Sequence, residues 1–123
     1  MTTNEDMHPA PVKPQITIDD VSKLDVRVGT IIAVSEVSGS RKLMKLTVDF
    51  GDHQRSILSG IRQERDDPLE ITGKQAMFVL NLAPREMAGE RSEGMLFDIG
   101  YEDGIKPALC QPEWPMPNGA RAG

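Results

Sequence analysis

The 123-residue sequence is poor in the residue types from which most catalytic and metal sites are built. It contains one cysteine and two histidines, and His8 lies in a proline-rich segment near the N-terminus. The single Cys110 excludes an intrachain disulfide, and no zinc-binding spacing is possible. The glycines follow neither dinucleotide-binding nor Walker spacing, and no histidine is placed by sequence to activate Ser92. We therefore expect a protein that is not an enzyme and that needs no cofactor and no metal.

Long apolar runs are missing as well. No stretch of 18 or more apolar residues occurs, and the N-terminus lacks the apolar segment of a secretory signal. With the low cysteine content, this predicts a cytoplasmic protein that does not interact with membranes. A length of 123 residues, with 38% hydrophobic and 27% charged residues, predicts one globular domain.

Aromatic residues and excess positive charge are both scarce, which limits how the chain could bind nucleic acid. Three of its five aromatic residues are phenylalanines in core-like positions, so few rings remain for stacking single-stranded bases. The formal net charge is −5. From Arg41 to Arg91 there are nine basic and eight acidic residues, whereas the rest of the chain has five and eleven. This distribution is compatible with a local basic face but does not favour strong non-specific binding.

The N-terminal region divides into two parts. Residues 1–15 contain three prolines and little periodicity, and we expect a disordered arm. Thr17 is placed as the N-cap of a short helix. Ile18, Val21 and Leu24 follow at helical spacing and form an apolar stripe, which predicts that the helix packs on the rest of the domain as a lid.

Five β-strands are predicted after this helix. Gly29 inside the first strand indicates a bulge or a bend. A polar segment around Asp66-Asp67-Pro68 predicts a helix or lid between the third and fourth strands. Five short strands with turn signals between them are typical of a small closed barrel. The predicted strands are 26–37, 44–50, 53–59, 75–82 and 93–99, with one further short strand at 107–110.

Segment 81–95 separates the last two of these five strands. Pro84 gives up a backbone donor and is expected to end the strand before it. Gly89 and Gly94 permit positive φ or a close backbone approach. The segment is therefore predicted to be a shaped loop with Asn, Arg and Ser side chains at its rim. An ordinary hairpin loop with solvated charges is the alternative, which spacing alone favours.

The residue pattern of this loop, Asn-Leu-x-Pro-Arg-x-Met-x-Gly-x-x-Ser-x-Gly-Met, resembles the signature of the tRNA-binding-domain family. This family comprises OB-fold modules of methionyl-tRNA synthetases and related factors, together with free-standing homodimers that include structure-specific tRNA-binding proteins and the CsaA secretion chaperone. Further matches occur in family order, and the resemblance runs from about residue 18 to the C-terminus. These matches are Leu24-Asp25-Val26-Arg27-Val28-Gly29, Lys42-Leu43, Val48-Asp49-Phe50-Gly51, Ser59-Gly60-Ile61, Gln111-Pro112-Glu113 and Pro117-Asn118-Gly119-Ala120-Arg121.

The resemblance implies an all-β fold, a five-stranded OB-fold barrel with a short N-terminal helix and a C-terminal extension, over residues 16–123. It also implies tRNA as a partner and assigns several side chains to the tRNA-binding surface or the layer beneath it. The predicted alternation of strand residues adds basic side chains on the same side of the barrel. The predicted tRNA-binding residues are Arg41, Lys42, Lys45, Arg55, Ser59, Asn81, Arg85, Arg91, Ser92 and Met95.

Other roles remain open for these residues. Each cation fits an ordinary surface charge, Asn81 and Ser92 fit side chains that hold the loop backbone, and Met95 fits a core residue. The resemblance also leaves two ligands open, namely folded tRNA recognised by its structure and unfolded polypeptide bound by a CsaA-like chaperone.

The C-terminal extension contains Trp114, Pro115 and Met116 in a proline-rich context. In free-standing relatives the C-terminal segment helps to build a homodimer, so the resemblance implies a dimerisation segment from about residue 100 to 123, with these three residues at the interface. The alternative is a tail that lies across its own barrel.

Overall fold

A computed structural model of the protein describes residues 7–123. The predicted disordered arm lies partly outside the described residues, since residues 1–6 are not described. Residues 8–15 are exposed and form no helix or strand. Regular structure begins with the helix α1 (Ile18–Ser22).

Helix α1 begins with the predicted cap. The Thr17 hydroxyl accepts a hydrogen bond from the backbone N–H of Asp20, and the Asp20 carboxylate accepts one from the N–H of Thr17. The predicted lid, in contrast, is wrong. No residue of α1 is buried, and the apolar stripe remains exposed, with Ile18 at 80%. The stripe lines an open groove together with Val26 and Phe97.

The remaining regular structure is dominated by an antiparallel sheet in the order β3-β2-β1-β4-β7, with β10 pairing to β1. Two short hairpins, β5–β6 and β8–β9, lie outside it. The strands are β1 (Val26–Glu36), β2 (Met44–Asp49), β3 (Gln54–Ser59), β4 (Gln75–Val79), β5 (Arg85–Met87), β6 (Glu90–Ser92), β7 (Met95–Leu96), β8 (Asp98–Ile99), β9 (Ala108–Leu109) and β10 (Arg121–Ala122).

The sheet curls into a nearly closed five-stranded barrel, as the sequence predicted. The N–H of Glu93 donates to the carbonyl of Ser56 at 2.9 Å, which joins the segment before β7 to β3. Gly94 lies in this seam with φ of 155°, and a Cβ there would lie 2.9 Å from the carbonyl oxygen of Val79. Only glycine lets the strands approach this closely, which explains the glycine at this position.

Strand β1 serves both halves of the barrel, pairing with β2 through its C-terminal part and with β4 through its N-terminal part. Its bulge lies between Ile31 and Ala33, so the prediction of a bulge at Gly29 is wrong. A Cβ on Gly29 would lie 2.6 Å from Val48 and 2.7 Å from the ring of Phe50. Gly29 therefore makes room for the core, while the extra residue that bends the strand is Ile32.

The barrel core is built around two phenylalanines. The rings of Phe50 and Phe78 meet edge to face with centroids 5.5 Å apart, which is a favourable aromatic geometry. Ile31, Leu46 and Ile57 are fully buried against them. A second, smaller cluster lies under the β5–β6 hairpin and consists of Val37, Leu43 and Leu58 with Met87 packed on it.

The polar connection between β3 and β4 folds as predicted, with helix α2 (Ile61–Glu64) followed by a 3-10 helix, Pro68–Ile71. The Asp67 side chain caps the second helix by accepting a hydrogen bond from the N–H of Leu69. Ile61 and Ile71 are buried, so this connection closes one end of the barrel.

Two predicted strands end differently in the structure. Strand β4 stops at Val79, although the N–H of Leu80 still donates to the carbonyl of Asp25 in the register of the β1–β4 pairing. The predicted strand 93–99 is divided, since β7 pairs with β4 and β8 pairs with β9. The chain changes partner at Phe97, whose N–H still donates to the carbonyl of Met77 on the neighbouring strand β4.

The C-terminal tail lies across its own barrel. Gly119 and Ala120 exchange backbone hydrogen bonds with Val28, and the Asn118 side chain accepts one from the Thr30 hydroxyl at 2.7 Å. Trp114 stays 62% exposed. The tail therefore covers part of the barrel and still presents an aromatic ring to solvent.

Candidate functional site

An open cleft of about 540 Å³ lies where the β2 and β3 strands meet the β5–β6 hairpin and β7. Four of the ten predicted tRNA-binding residues line it, namely Lys42, Ser59, Arg85 and Met95. A Cβ on Gly60 would lie 3.2 Å from the Lys42 stem, so the glycine leaves room for this side chain. The cleft thus gathers residues from positions 40 to 101 of the chain.

The two cations of the cleft are available to a ligand. Lys42 and Arg85 are both exposed, and neither forms an ion pair with any described residue. Met95 is 43% exposed and forms part of the apolar wall. Unpaired cations next to an apolar wall suit an anionic ligand with flat apolar parts.

The other predicted cations lie around the cleft in different states. Lys45 on β2 pairs with Glu90 on β6, with Nζ and Oε1 3.3 Å apart. Arg41 and Arg91 are exposed at the surface. The structure therefore places these three residues outside the lining of the cleft.

Arg55 is held in a network that ties β3 to the neighbouring loops. Its Nη1 donates to the carbonyls of Leu80 and Glu93, at 2.8 and 3.1 Å. Its Nε donates to Nε2 of His53, so the His53 proton resides on Nδ1, which donates to Asp52. That hydrogen bond lowers the pKa of the Asp52 carboxyl. Because Nε and Nη1 both donate hydrogen bonds within the protein, Arg55 mainly holds β3 and the neighbouring loops together.

Asn81 and Ser92 both hydrogen-bond to the backbone, but only Ser92 bonds to the loop itself, through the carbonyl of Gly94, while Asn81 bonds to the segment before β1. The Asn81 side chain accepts from the N–H of Asp25 at 2.8 Å and donates to the carbonyl of Lys23 at 2.6 Å. Ser92 is buried, and its hydroxyl accepts from the N–H of Leu58 at 3.0 Å. Both side chains thus position the segment that carries Arg85.

Sequence reasoning missed a pair of carboxyl groups in the cleft, Glu64 on α2 and Asp98 on β8. Burial, followed by the hydrogen bond to Asp98, raises the pKa of Glu64 to about 8. The Oε1 atom of Glu64 is buried and has no hydrogen-bond donor among the described atoms. A proton on Glu64 turns this carboxyl into a donor toward Asp98. No spacing in the sequence could have revealed this pair, because the two residues meet only in the folded barrel.

Other kinds of site have little support in the described part of the chain. Residues 7–123 contain no group of three or more side chains placed to hold a metal ion. None of the helices described there is long and apolar enough to cross a membrane.

A small antiparallel barrel with a cation-bearing cleft beside its second and third strands has the architecture of an OB-fold binding module. The model of the family described as "Putative tRNA binding domain" matches residues 26–121. The chain belongs to this tRNA-binding-domain family, whose domain is a binding module.

Solved structures of related proteins agree with this assignment. The MetRS related protein from Pyrococcus horikoshii is 34% identical, with a TM-score of 0.82 over 90% of this chain and 100% of that one. The chaperone CsaA from Bacillus anthracis is 28% identical, with a TM-score of 0.78 over 89% and 100% of the two chains. The CsaA chaperone from Picrophilus torridus is 29% identical, with a TM-score of 0.76 over 89% and 100%.

Proposed function

We propose that this protein binds tRNA through the cleft, recognises the folded shape and backbone of the RNA, and catalyses no reaction. The observation that carries the proposal is the convergence of Lys42 and Arg85 on one open cleft, neither of them paired with a carboxylate of residues 7–123, in a chain of the tRNA-binding-domain family. Phosphate contacts from such cations supply most of the affinity of a nucleic-acid-binding protein.

Recognition of shape follows from the shortage of exposed rings. Phe50 and Phe78 are buried in the core, and Tyr101 is the aromatic residue that lines the cleft. Single-stranded RNA is usually held by several stacked rings, whereas folded RNA is read through its backbone and its shape. In this proposal the remaining predicted residues surround the contact, with Arg41 and Arg91 at its edge and Asn81 and Ser92 supporting the loop.

The test is a binding series with bulk tRNA at several salt concentrations. Lys42→Ala and Arg85→Ala should each weaken binding to all tRNAs alike, and each should reduce the slope of log K against log salt by about one unit. Lys13→Ala removes a lysine from the N-terminal arm and serves as the control. Unchanged affinity and slope in both cleft variants, with a wild type that binds, would remove these residues from the site.

A second candidate function, the capture of unfolded polypeptide, is favoured by the groove beside α1. This groove of about 570 Å³ is lined by Ile18, Val21, Leu24 and Phe97 among other apolar residues. Two of the similar structures are CsaA chaperones. An unfolded peptide in the same salt series separates the two functions, because apolar capture does not weaken steeply with salt as phosphate binding does.

We further infer that the protein acts as a homodimer in the cytoplasm, where tRNA is available. Support for a dimer comes from the tail, where Trp114 is 62% and Met116 is 38% exposed, with Pro115 between them. An exposed tryptophan on so small a barrel is a suitable anchor for an interface.

A further inference from the structure

A second group of cations lies beside the cleft and has no part in the function proposed above. Arg65, Lys74 and Lys106 line a recess of about 330 Å³ together with uncharged residues. We name these three residues the second basic cluster. They come from three separate parts of the chain and do not form a basic run in the sequence. Only the fold brings them together.

Two residues of the second basic cluster, Arg65 and Lys74, are tied to the barrel by hydrogen bonds or an ion pair. Arg65 ends α2, and its Nη1 lies 2.6 Å from Glu70 Oε1, while its side chain is only 12% exposed. The backbone carbonyl of Lys74 accepts from the N–H of Ile31 at 2.9 Å. The Arg65 side chain and the Lys74 backbone are thus held in place, which lowers the entropic cost of binding a ligand.

The charge of the cluster is incompletely balanced. Lys74 and Lys106 are exposed, and neither forms an ion pair within residues 7–123. Glu70 pairs with Arg65, and no carboxylate lines the recess. In a chain with a net charge of −5, two unpaired lysines beside an arginine form a local site of positive charge.

The recess and the cleft share a wall. Glu64 lines the cleft and the adjacent Arg65 lines the recess. On the opposite side, Asp98 of the cleft is the cross-strand partner of Leu109 of the recess. The two sites therefore lie side by side, with the consecutive residues Glu64 and Arg65 and the Asp98–Leu109 pair at their boundary.

We propose that the second basic cluster binds a second stretch of phosphodiester backbone of the same tRNA that occupies the cleft. This inference rests on the proposed function. Lysine ammonium groups act as mobile point charges suited to phosphates, while Arg65 retains free N–H donors beside its contact with Glu70. Two separated contacts would favour a large folded RNA over a short oligonucleotide, because only the former spans both sites.

The test is the salt dependence of tRNA binding to the double variant Lys74→Ala with Lys106→Ala. Loss of two phosphate contacts should reduce the slope of log K against log salt by about 1.4 to 1.8 units. If the wild type and the double variant have the same extrapolated affinity at 1 M salt, the double variant should bind tRNA roughly 30-fold more weakly than the wild type at 0.1 M salt. Thermal melting of each variant checks that the exposed substitutions leave the fold intact.

The matched control is Lys13→Ala with Lys23→Ala, which removes the same number of lysines from the N-terminal arm and from the end of α1. It should retain the wild-type slope. A double variant of the second basic cluster that behaves like this control, while the wild type binds tRNA, would overturn the inference alone. A wild type that does not bind tRNA would overturn the proposed function as well.

Discussion

At the level of single residues, the environment of Glu64 determines when the cleft carries its full negative charge. The carboxyl group lies between Lys42 and Arg65, both of which favour its ionised form, yet burial and the neighbouring Asp98 outweigh them and raise its pKa to about 8. Near neutral pH Glu64 therefore holds its proton, and the cations of the cleft face one negative charge fewer. Above pH 8 that charge returns.

The raised pKa of Glu64 determines in which direction the stability of the protein changes with pH. Between the ordinary value of 4.5 and about 8, the folded state holds a proton that the unfolded state has released, so the free energy of unfolding should fall as the pH rises through this window. Three other carboxyl groups have a lowered pKa and therefore change the free energy of unfolding only at acid pH. They belong to Asp20, Asp25 and Asp52. Glu64→Gln should flatten the decline, as measured by urea unfolding from pH 5.5 to 8.5.

Glu113→Gln, in the exposed tail, is the control and should follow the wild-type curve. Parallel curves for the wild type and Glu64→Gln would contradict the raised pKa of Glu64.

At the level of elements, the β5–β6 hairpin carries Arg85 and defines one side of the cleft. Its two central residues both have positive φ, 50° for Ala88 and 79° for Gly89, which is the type I′ turn that suits a two-residue hairpin. Glycine adopts this conformation freely, but alanine is strained in it. The hairpin is therefore held partly by its packing, with Met87 resting on the small cluster beneath it.

The strain at Ala88 leads to a prediction about stability. Asn-Gly is the preferred pair for this turn, so Ala88→Asn should raise the free energy of unfolding by about 0.5 to 1 kcal/mol. Chemical denaturation measures the change, and Ala83→Asn, an exposed substitution outside the turn, should change stability by less than about 0.5 kcal/mol. A destabilised Ala88→Asn variant would show that the hairpin in solution does not use this turn.

At the level of the whole molecule, two exposed apolar surfaces are candidates for the interface of the proposed dimer. One is the tail around Trp114, and the other is the groove lined by Ile18, Val21 and Leu24. A two-fold dimer would use the same surface on both copies and would present two clefts to one folded RNA. Two linked sites raise avidity without any new type of contact.

Sedimentation at micromolar concentration should therefore give about twice the mass of the chain. Trp114→Ala should shift the protein toward monomer and weaken tRNA binding at the same time, because it removes an aromatic anchor from the interface. Leu69→Ala truncates another exposed apolar residue, on the 3-10 helix, and should leave the dimer intact.

Either of two results would contradict the tail interface. The first is a monomeric wild type that binds tRNA tightly. The second is a dimer that survives Trp114→Ala and dissociates with Val21→Ser, which would assign the interface to the groove beside α1.

The sequence by itself determined the features that depend on near neighbours in the chain. The Thr17 cap needs only the residue three positions on, and it forms as predicted. The alternation of β2 survives as buried Met44, Leu46 and Val48, because the strand period is two wherever the strand lies. The family motifs then identified the barrel, since several of them in order specify a fold that single patterns do not.

Tertiary structure decided what depends on the closure of the barrel. Glu64 has a raised pKa only because α2 and β8 meet, and Ser92 turns inward because the N–H of Leu58 needs a partner at the seam. Gly29 is required by the ring of Phe50, which directly follows β2. Such contacts join residues 21 to 34 positions apart, and their geometry follows from the register and curvature of the strands, which local patterns do not encode.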